Sequence, residues 1–147
     1  MWAGEAQVER GTHPLVRLVA QLIGFPQATL NTQTIPITVS ISPTRNGEGE
    51  RWARVFGHQT FHSTLTQDRH HLSERFGPLR FDIALVLKED KLLFIVRRWN
   101  LLGLPLPRAL APGGNTYESA DGDRFHFHVE IAHRWLGLIV RYRGWLA

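Results

Sequence analysis

Residues 80–99 read RFDIALVLKEDKLLFIVRRW, and their period decides the fold. Phe81, Ile83, Leu85 and Leu87 fall on one face of an extended chain, because successive strand side chains point to opposite sides. A turn centred on Glu89-Asp90 carries that face on through Leu92, Phe94 and Val96 to Arg98. On the other face Asp82 and Arg97 then stand opposite each other as a cross-strand ion pair. The stretch predicts a long β-hairpin with one apolar face.

The same period recurs on both sides of it. Ile35, Ile37, Val39 and Ile41 alternate with Pro36, Thr38, Ser40 and Ser42, which is the pattern of a half-buried strand. Pro36 suits an edge or the first residues of a strand, since it cannot donate to a ladder. Asn46-Gly47 is a turn signal. Residues 51–56 and 59–65 form a hairpin around Gly57-His58, 71–76 is a further strand, and Gly77-Pro78 turns the chain again. Later, Phe125, Phe127, Val129 and Ile131 alternate with Arg124, His126, His128 and Glu130. A short strand near 116–119 precedes them through a turn at Asp121-Gly122, residues 139–146 close the chain as a strand, and residues 4–10 open it.

Only one segment has a helical period. Thr12-His13-Pro14 supplies a capping-type residue ahead of a first-turn proline. Leu15, Leu18, Val19, Leu22 and Ile23 then recur at helical spacing, with Arg17 and Gln21 on the other side. Gly24 and Pro26 end the helix.

About ten strands in sequential hairpins, with one early helix, predict a mainly β (α+β) fold. An antiparallel meander of that length curls into a calycin-like barrel or half-barrel, with the helix over one mouth. A helix-grip sheet is the runner-up, but it wants a long C-terminal helix where this chain has a strand.

At 147 residues the expectation is a single domain over 1–147, large enough to bury a core without staples. With no Cys there is no disulfide framework, thiolate zinc site or cysteine nucleophile. The N-terminus lacks the pattern of a signal peptide, and no apolar stretch is long enough to span a bilayer, so a cytoplasmic protein is expected. The net charge is +4, and of 17 basic residues only Lys88 and Lys91 are lysines. The arginines are spread along the chain rather than gathered in a stripe, which argues against nucleic acid as a partner.

Residues 97–112, RRWNLLGLPLPRALAP, interrupt the alternation. Pro105 and Pro107 remove backbone donors, and Leu104 and Leu106 are pushed out of the helical region by the prolines after them. Five leucines (Leu101, Leu102, Leu104, Leu106 and Leu110) are too many for a solvated loop. The segment is expected to fold back over the barrel mouth, or else to be a contact surface for a partner or a second copy.

ERFGPLRF (74–81), LLGLPLPRALAP (101–112), VRYRGWL (140–146) and GEAQVERG (4–11) together resemble a bacterial domain of unknown function, of the type numbered 4166. That domain is often found C-terminal to saccharopine-dehydrogenase-like or other NAD(P)-binding proteins. The resemblance implies an accessory or substrate-handling module, with a dehydrogenase-like partner or a homodimer meeting at 101–112. The pattern it resembles carries a leader segment before the first strand, whereas this chain starts almost on that strand.

The chemistry-bearing candidates are arginines on apolar faces. Arg54 shares a face with Trp52 and Phe56. Arg98, next to Trp99, shares one with Phe94 and Val96, and Arg141 and Arg143 share one with Ile139 and Trp145. A buried arginine needs an acceptor, which is either an internal carboxylate such as Glu74 or the carboxylate or phosphate of a ligand. His126, His128 and Glu130 have a spacing that can supply metal ligands, but they oppose the apolar face of their strand and read as a solvated polar face, so no metal is expected. No nucleophile elbow, phosphate loop or paired-acid motif is present, and no cofactor is implied. The reading is a barrel that accepts a small apolar or lipid-like molecule, with or without an anionic group, at Trp52, Arg54, Glu74, Arg98, Trp99, Arg141 and Arg143. The alternatives are a barrel cyclase or isomerase with Glu74 or a histidine as acid or base, and an interaction module docking through 101–112.

Overall fold

A computed structural model describes residues 1–25 and 34–147. Its strands, in chain order, are β1 (Trp2–Arg10), β2 (Thr34–Pro43), β3 (Gly49–Phe56), β4 (Gln59–Asp68), β5 (His71–Phe76), β6 (Leu79–Lys88), β7 (Lys91–Leu101), β8 (Leu104–Pro105), β9 (Tyr117–Asp121), β10 (Arg124–His133) and β11 (Gly137–Leu146). Every pairing is antiparallel. The first six strands pair in sequence, β1 also pairs with β11, and β11–β10–β9–β7 leads back to β6. Ten strands therefore close into a barrel, and two-residue β8 only folds back on the end of β7.

Closure pairs each of these ten strands on both sides, β7 with β9 over three residues only, and leaves the period-two pattern to choose what goes inside. Ala6 and Val8, Ile37 and Val39, Phe56, Phe61, Phe127, and Val140, Tyr142 and Leu146 form the buried core. Phe25 packs tilted on Phe61 and Phe61 stacks on Phe76, with ring centroids 4.8 and 5.3 Å apart, and Tyr142 meets Phe25, Phe56 and Phe127. Gly144 is required where β11 passes β1. A Cβ there would run into the Glu5 carbonyl and the Phe127 ring. Pro36 is the third residue of β2, so of the two positions open to it the strand's beginning is the one used.

The helix, α1 (Pro14–Leu22), lies across one mouth. At its start Gly11 donates to the Ile139 carbonyl of β11, and Arg10 donates to the carbonyl of Arg17. At its end the Leu22 carbonyl lies against Gly77 in the β5–β6 turn, halfway round the ring. Its N-cap is His13 rather than Thr12, with Nδ1 accepting from the amide of Leu15. Its buried face also differs from the expected one. Val16 and Ala20 face the barrel, and Leu15, Leu18 and Leu22 face outward. Small side chains let the helix backbone approach the sheet closely. Pro26, expected to end this helix, lies outside the described residues.

The 80–99 hairpin turns at Glu89-Asp90 as expected, with Lys88 opposite Lys91. One residue changes its far end. The register shifts between Asp82 and Ile83, so that Arg97 bulges out and Asp82 faces Arg98 instead. Asp82 forms its ion pairs with Arg98 at 3.5 Å and Arg80 at 3.6 Å.

Both turn residues of this hairpin have positive φ, 50° at Glu89 and 62° at Asp90, which is the two-residue turn geometry that favours Asn-Gly. Replacing Glu89-Asp90 by Asn-Gly should raise stability by about 1 kcal/mol, since a left-handed conformation costs roughly that at an ordinary residue. A urea midpoint that rises with unchanged slope is the expected reading, and a fall would place the hairpin's register elsewhere.

Candidate functional site

Inward-facing side chains do not fill the barrel. They leave a cavity of about 590 Å³ that runs from Ile23 and Phe25 under the helix to Phe125 and Leu146 near the other end. Its wall is mostly aliphatic and aromatic, and the polar groups in it are few. The central ones are Arg54 on β3, Glu74 on β5, Glu118 on β9 and Tyr142 on β11.

Arg54 is held from several sides. Its Nη1 donates to Ser63 Oγ at 2.8 Å, and its Nη2 lies 3.2 Å from Glu74 Oε1. The guanidinium also lies over Trp52, 5.0 Å from the ring centroid, and 5.8 Å from that of Phe61. The side chains of Arg54 and Glu74 are each only 13% exposed, so each removes the cost of burying the other's charge. The register makes this meeting possible. Arg54 is opposite Phe61 and Leu65 is opposite Glu74, so the pair spans β4 with Ser63 between them.

Glu118 sits differently. Burial in the apolar lumen pushes its carboxyl up to about 7, the Arg54 charge opposes that rise, and Glu74 adds to it. Desolvation is the largest of the three, and Glu74 offsets part of the Arg54 attraction. Tyr142 is pushed up to about 12, first by burial, so its phenol stays protonated. The centre of the lumen thus holds one satisfied ion pair, one carboxyl poised to gain or lose a proton near neutral pH, and one neutral hydroxyl, with Arg108, Thr116 and Glu130 elsewhere on the wall.

Of the seven residues singled out in the sequence, Trp52, Arg54 and Glu74 line the cavity together. Arg98 is on the outer face, because the Arg97 bulge reverses its direction. Trp99 stacks on Phe81 and donates from Nε1 to the Pro107 carbonyl at 3.0 Å, so it pins the proline segment to β7. Arg141 and Arg143 also lie outside. The inward residues of β11 are Val140, Tyr142 and Leu146, the parity opposite to the expected one. Arg141 joins Glu9 and Glu130 at 2.8 Å each, and Arg143 donates to Gln7. His126 and His128 are on the outer face of β10, where His128 stacks on Tyr117. Among the described residues no cluster of metal-ligating side chains occurs.

The proline segment is a wall panel rather than a lid. β9 pairs with only the first three residues of β7, so the sheet would gape beside the rest of that strand. The chain after Pro107 covers the gap. Gly113 bridges to Ala132 on β10, and Arg108, Ala111 and Pro112 line the cavity. Leu106 and Leu110 are partly buried there, whereas Leu101, Leu102 and Leu104 are exposed, so the expected burial of all five holds for two.

A closed ten-stranded antiparallel barrel with an apolar lumen and an internal ion pair is the class of protein that fold and site define. The family model described as Domain of unknown function (DUF4166) matches residues 1–146, and the chain belongs to that family. No curated protein and no solved structure matches the chain.

Burial of Glu118 makes stability depend on pH with a definite sign. Its folded value of about 7 lies above its ordinary 4.5, so the stabilising form is the protonated one. Stability should fall as pH rises from the ordinary value through the folded one, by about 3 kcal/mol if Glu118 acts alone. Glu118→Gln should match the wild type near about pH 4 and exceed it at about pH 8, as read from denaturant melts. Parallel pH profiles for the two proteins would show that the carboxyl is solvated.

Proposed function

We propose that the barrel binds one small apolar or amphipathic molecule in its lumen, as an accessory or substrate-handling module in the manner of calycins. The observation that carries this reading is the cavity of about 590 Å³. Its size is within the range of small-molecule sites, and its few convergent polar groups in an apolar wall suit one oriented ligand. The apolar body would lie against Phe61, Phe76 and Leu92, and a single polar group would meet Glu118 or Tyr142.

The polar end is a hydroxyl or carbonyl rather than a second strong anion. Arg54 is the central cation of the lumen, and Glu74 already neutralises it. A ligand carboxylate would be a second anion beside Glu74 on one cation in an apolar wall, which costs several kcal/mol.

A second reading, a barrel isomerase, is favoured by Glu118 specifically. A carboxyl with a value near 7 in a water-poor cavity suits proton transfer next to a carbonyl, with Tyr142 as a neutral donor. Glu74 is less suited to that role, since its ion pair holds it. As for a macromolecular partner, a dehydrogenase-like protein or a second copy meeting the 101–112 segment would find Leu101, Leu102 and Leu104 on its surface.

Titration with N-phenyl-1-naphthylamine, a neutral apolar fluorophore, tests the lumen reading. One equivalent should bind with a rise in fluorescence, and long-chain alcohols should displace it. Ala111→Trp, on the wall panel outside the strand ladders, should fill the lumen and lower affinity at least tenfold, about 1.4 kcal/mol, at an unchanged melting temperature. No saturable binding, or binding indifferent to Ala111→Trp, would remove the lumen as the site.

A further inference from the structure

We propose that the helix-capped end of the barrel is a docking surface for an anionic lipid bilayer. The first observation is the orientation of α1, whose outward face carries Leu15, Leu18 and Leu22. These continue into further exposed apolar groups. The Leu22 carbonyl lies against Gly77, and the amide of Leu102 donates to the Pro78 carbonyl, so the Leu102–Leu104 tip adjoins the helix C-terminus. At the other end of the helix, Gly11 is bonded to β11, which Trp135 precedes in the β10–β11 turn. Leu15, Leu18, Leu22, Leu102, Leu104 and Trp135 are between 52 and 78% exposed, and all belong to this one end. Soluble proteins rarely display so continuous a stretch without a use for it.

The tip has a second peculiarity. Leu102 has φ of 51° and is followed by Gly103 at 81°, a turn whose first position favours Asn or Gly. Leucine in that conformation is strained, and here it gains no burial in return, being the most exposed of the six. Such a side chain is presented to something outside the chain.

Charge selects the occupant. Among the described residues, the turns, helix and loop at this end carry Arg17, Arg108 and Arg134 and no acidic residue. The turns at the opposite end carry Glu48, Glu89, Asp90 and Asp123 against Arg45 and Arg69, a net negative balance. A leucine and tryptophan surface set among arginines with no acid, opposite a pole of net negative charge, is the pattern of an interfacial element attracted to anionic headgroups. A second copy meeting this face would bring its arginines towards those already present, which disfavours self-association. The docked barrel would hold its cavity with the Ile23 and Phe25 end towards the membrane.

The surface does not depend on what the lumen holds, so the test uses vesicles alone. The full chain is sedimented with vesicles of phosphatidylcholine and with vesicles of phosphatidylcholine mixed with phosphatidylglycerol. Binding is expected to the mixed vesicles and to weaken as salt is raised. Leu18→Ser/Leu22→Ser and Leu102→Ser/Leu104→Ser should each lower partitioning at least tenfold, since each removes two apolar side chains from the interface. Arg17→Gln should lower it about fivefold, the weight of one basic residue near an anionic surface. Because these side chains are exposed, all three variants should melt like the wild type, and Ala111→Trp should bind vesicles normally, which separates this test from that of the lumen. No binding to either vesicle, or binding indifferent to the serine variants, overturns the proposal. So does a concentration-dependent dimer that the same variants dissociate, since the face would then join two copies.

Discussion

A closed antiparallel sheet has no free edge, and here that single constraint fixes nearly everything else. Once β1 is paired on both sides and β6 meets β7, each residue's parity is settled as lumen or exterior. The ring size then sets what the lumen can be. About eight strands give an interior that side chains can just fill, and the diameter grows with strand number. Ten strands leave space even with Phe25, Phe61, Phe76, Phe127 and Tyr142 pointing inward. The cavity is thus a consequence of closure at this number. The weak point of the ring is β9, too short to cover β7, and the stiff proline segment makes good the wall there.

An apolar lumen of this kind magnifies the few polar groups in it. Burying the Arg54 guanidinium among Phe61, Phe76 and Leu72 is costly without Glu74, and removing either partner alone would strand the other, at about 3–5 kcal/mol. Burial in the same lumen sets the state of Glu118. Desolvation raises its carboxyl more than Arg54 lowers it, Glu74 adds to the rise, and its proton is retained to near neutrality. The carboxyl outside the ion pair is therefore the responsive group of the cavity.

The strand plan was legible because period-two alternation survives in almost every segment, from Ile35–Ile41 to Phe125–Ile131. The number of hairpins pointed to a barrel or half-barrel, and the β1–β11 and β6–β7 pairings close it. The site was legible only where a strand is regular. Arg54 and Glu74 lie in unbroken alternations with Trp52 and Phe76, so their parity could be read and their pairing anticipated. Arg98 could not be placed, since a single bulged residue reverses everything beyond it and leaves no mark in composition. On β11 two apolar sets compete, Ile139 and Trp145 against Val140, Tyr142 and Leu146, and only the register with β1 and β10 decides between them. Glu118 lies on a five-residue strand too short to display a period, although its separation from Thr116 is the signal that was there.

The helix shows where pattern and physics part. A leucine face at helical spacing is ordinarily the buried face, because burying each leucine contributes about 1.5–3 kcal/mol. Here the barrel mouth accepts Val16 and Ala20 instead and leaves Leu15, Leu18 and Leu22 outside. A chain selected only for folding would put polar residues at those three positions at no cost to the packing beneath. Their retention, beside an exposed leucine held at positive φ in the adjoining tip, cannot be traced to the stability of the barrel. What the outer face of α1 is for must be sought in what it meets. The same leucines that made the helix recognisable in the sequence are the ones left exposed by the folded barrel.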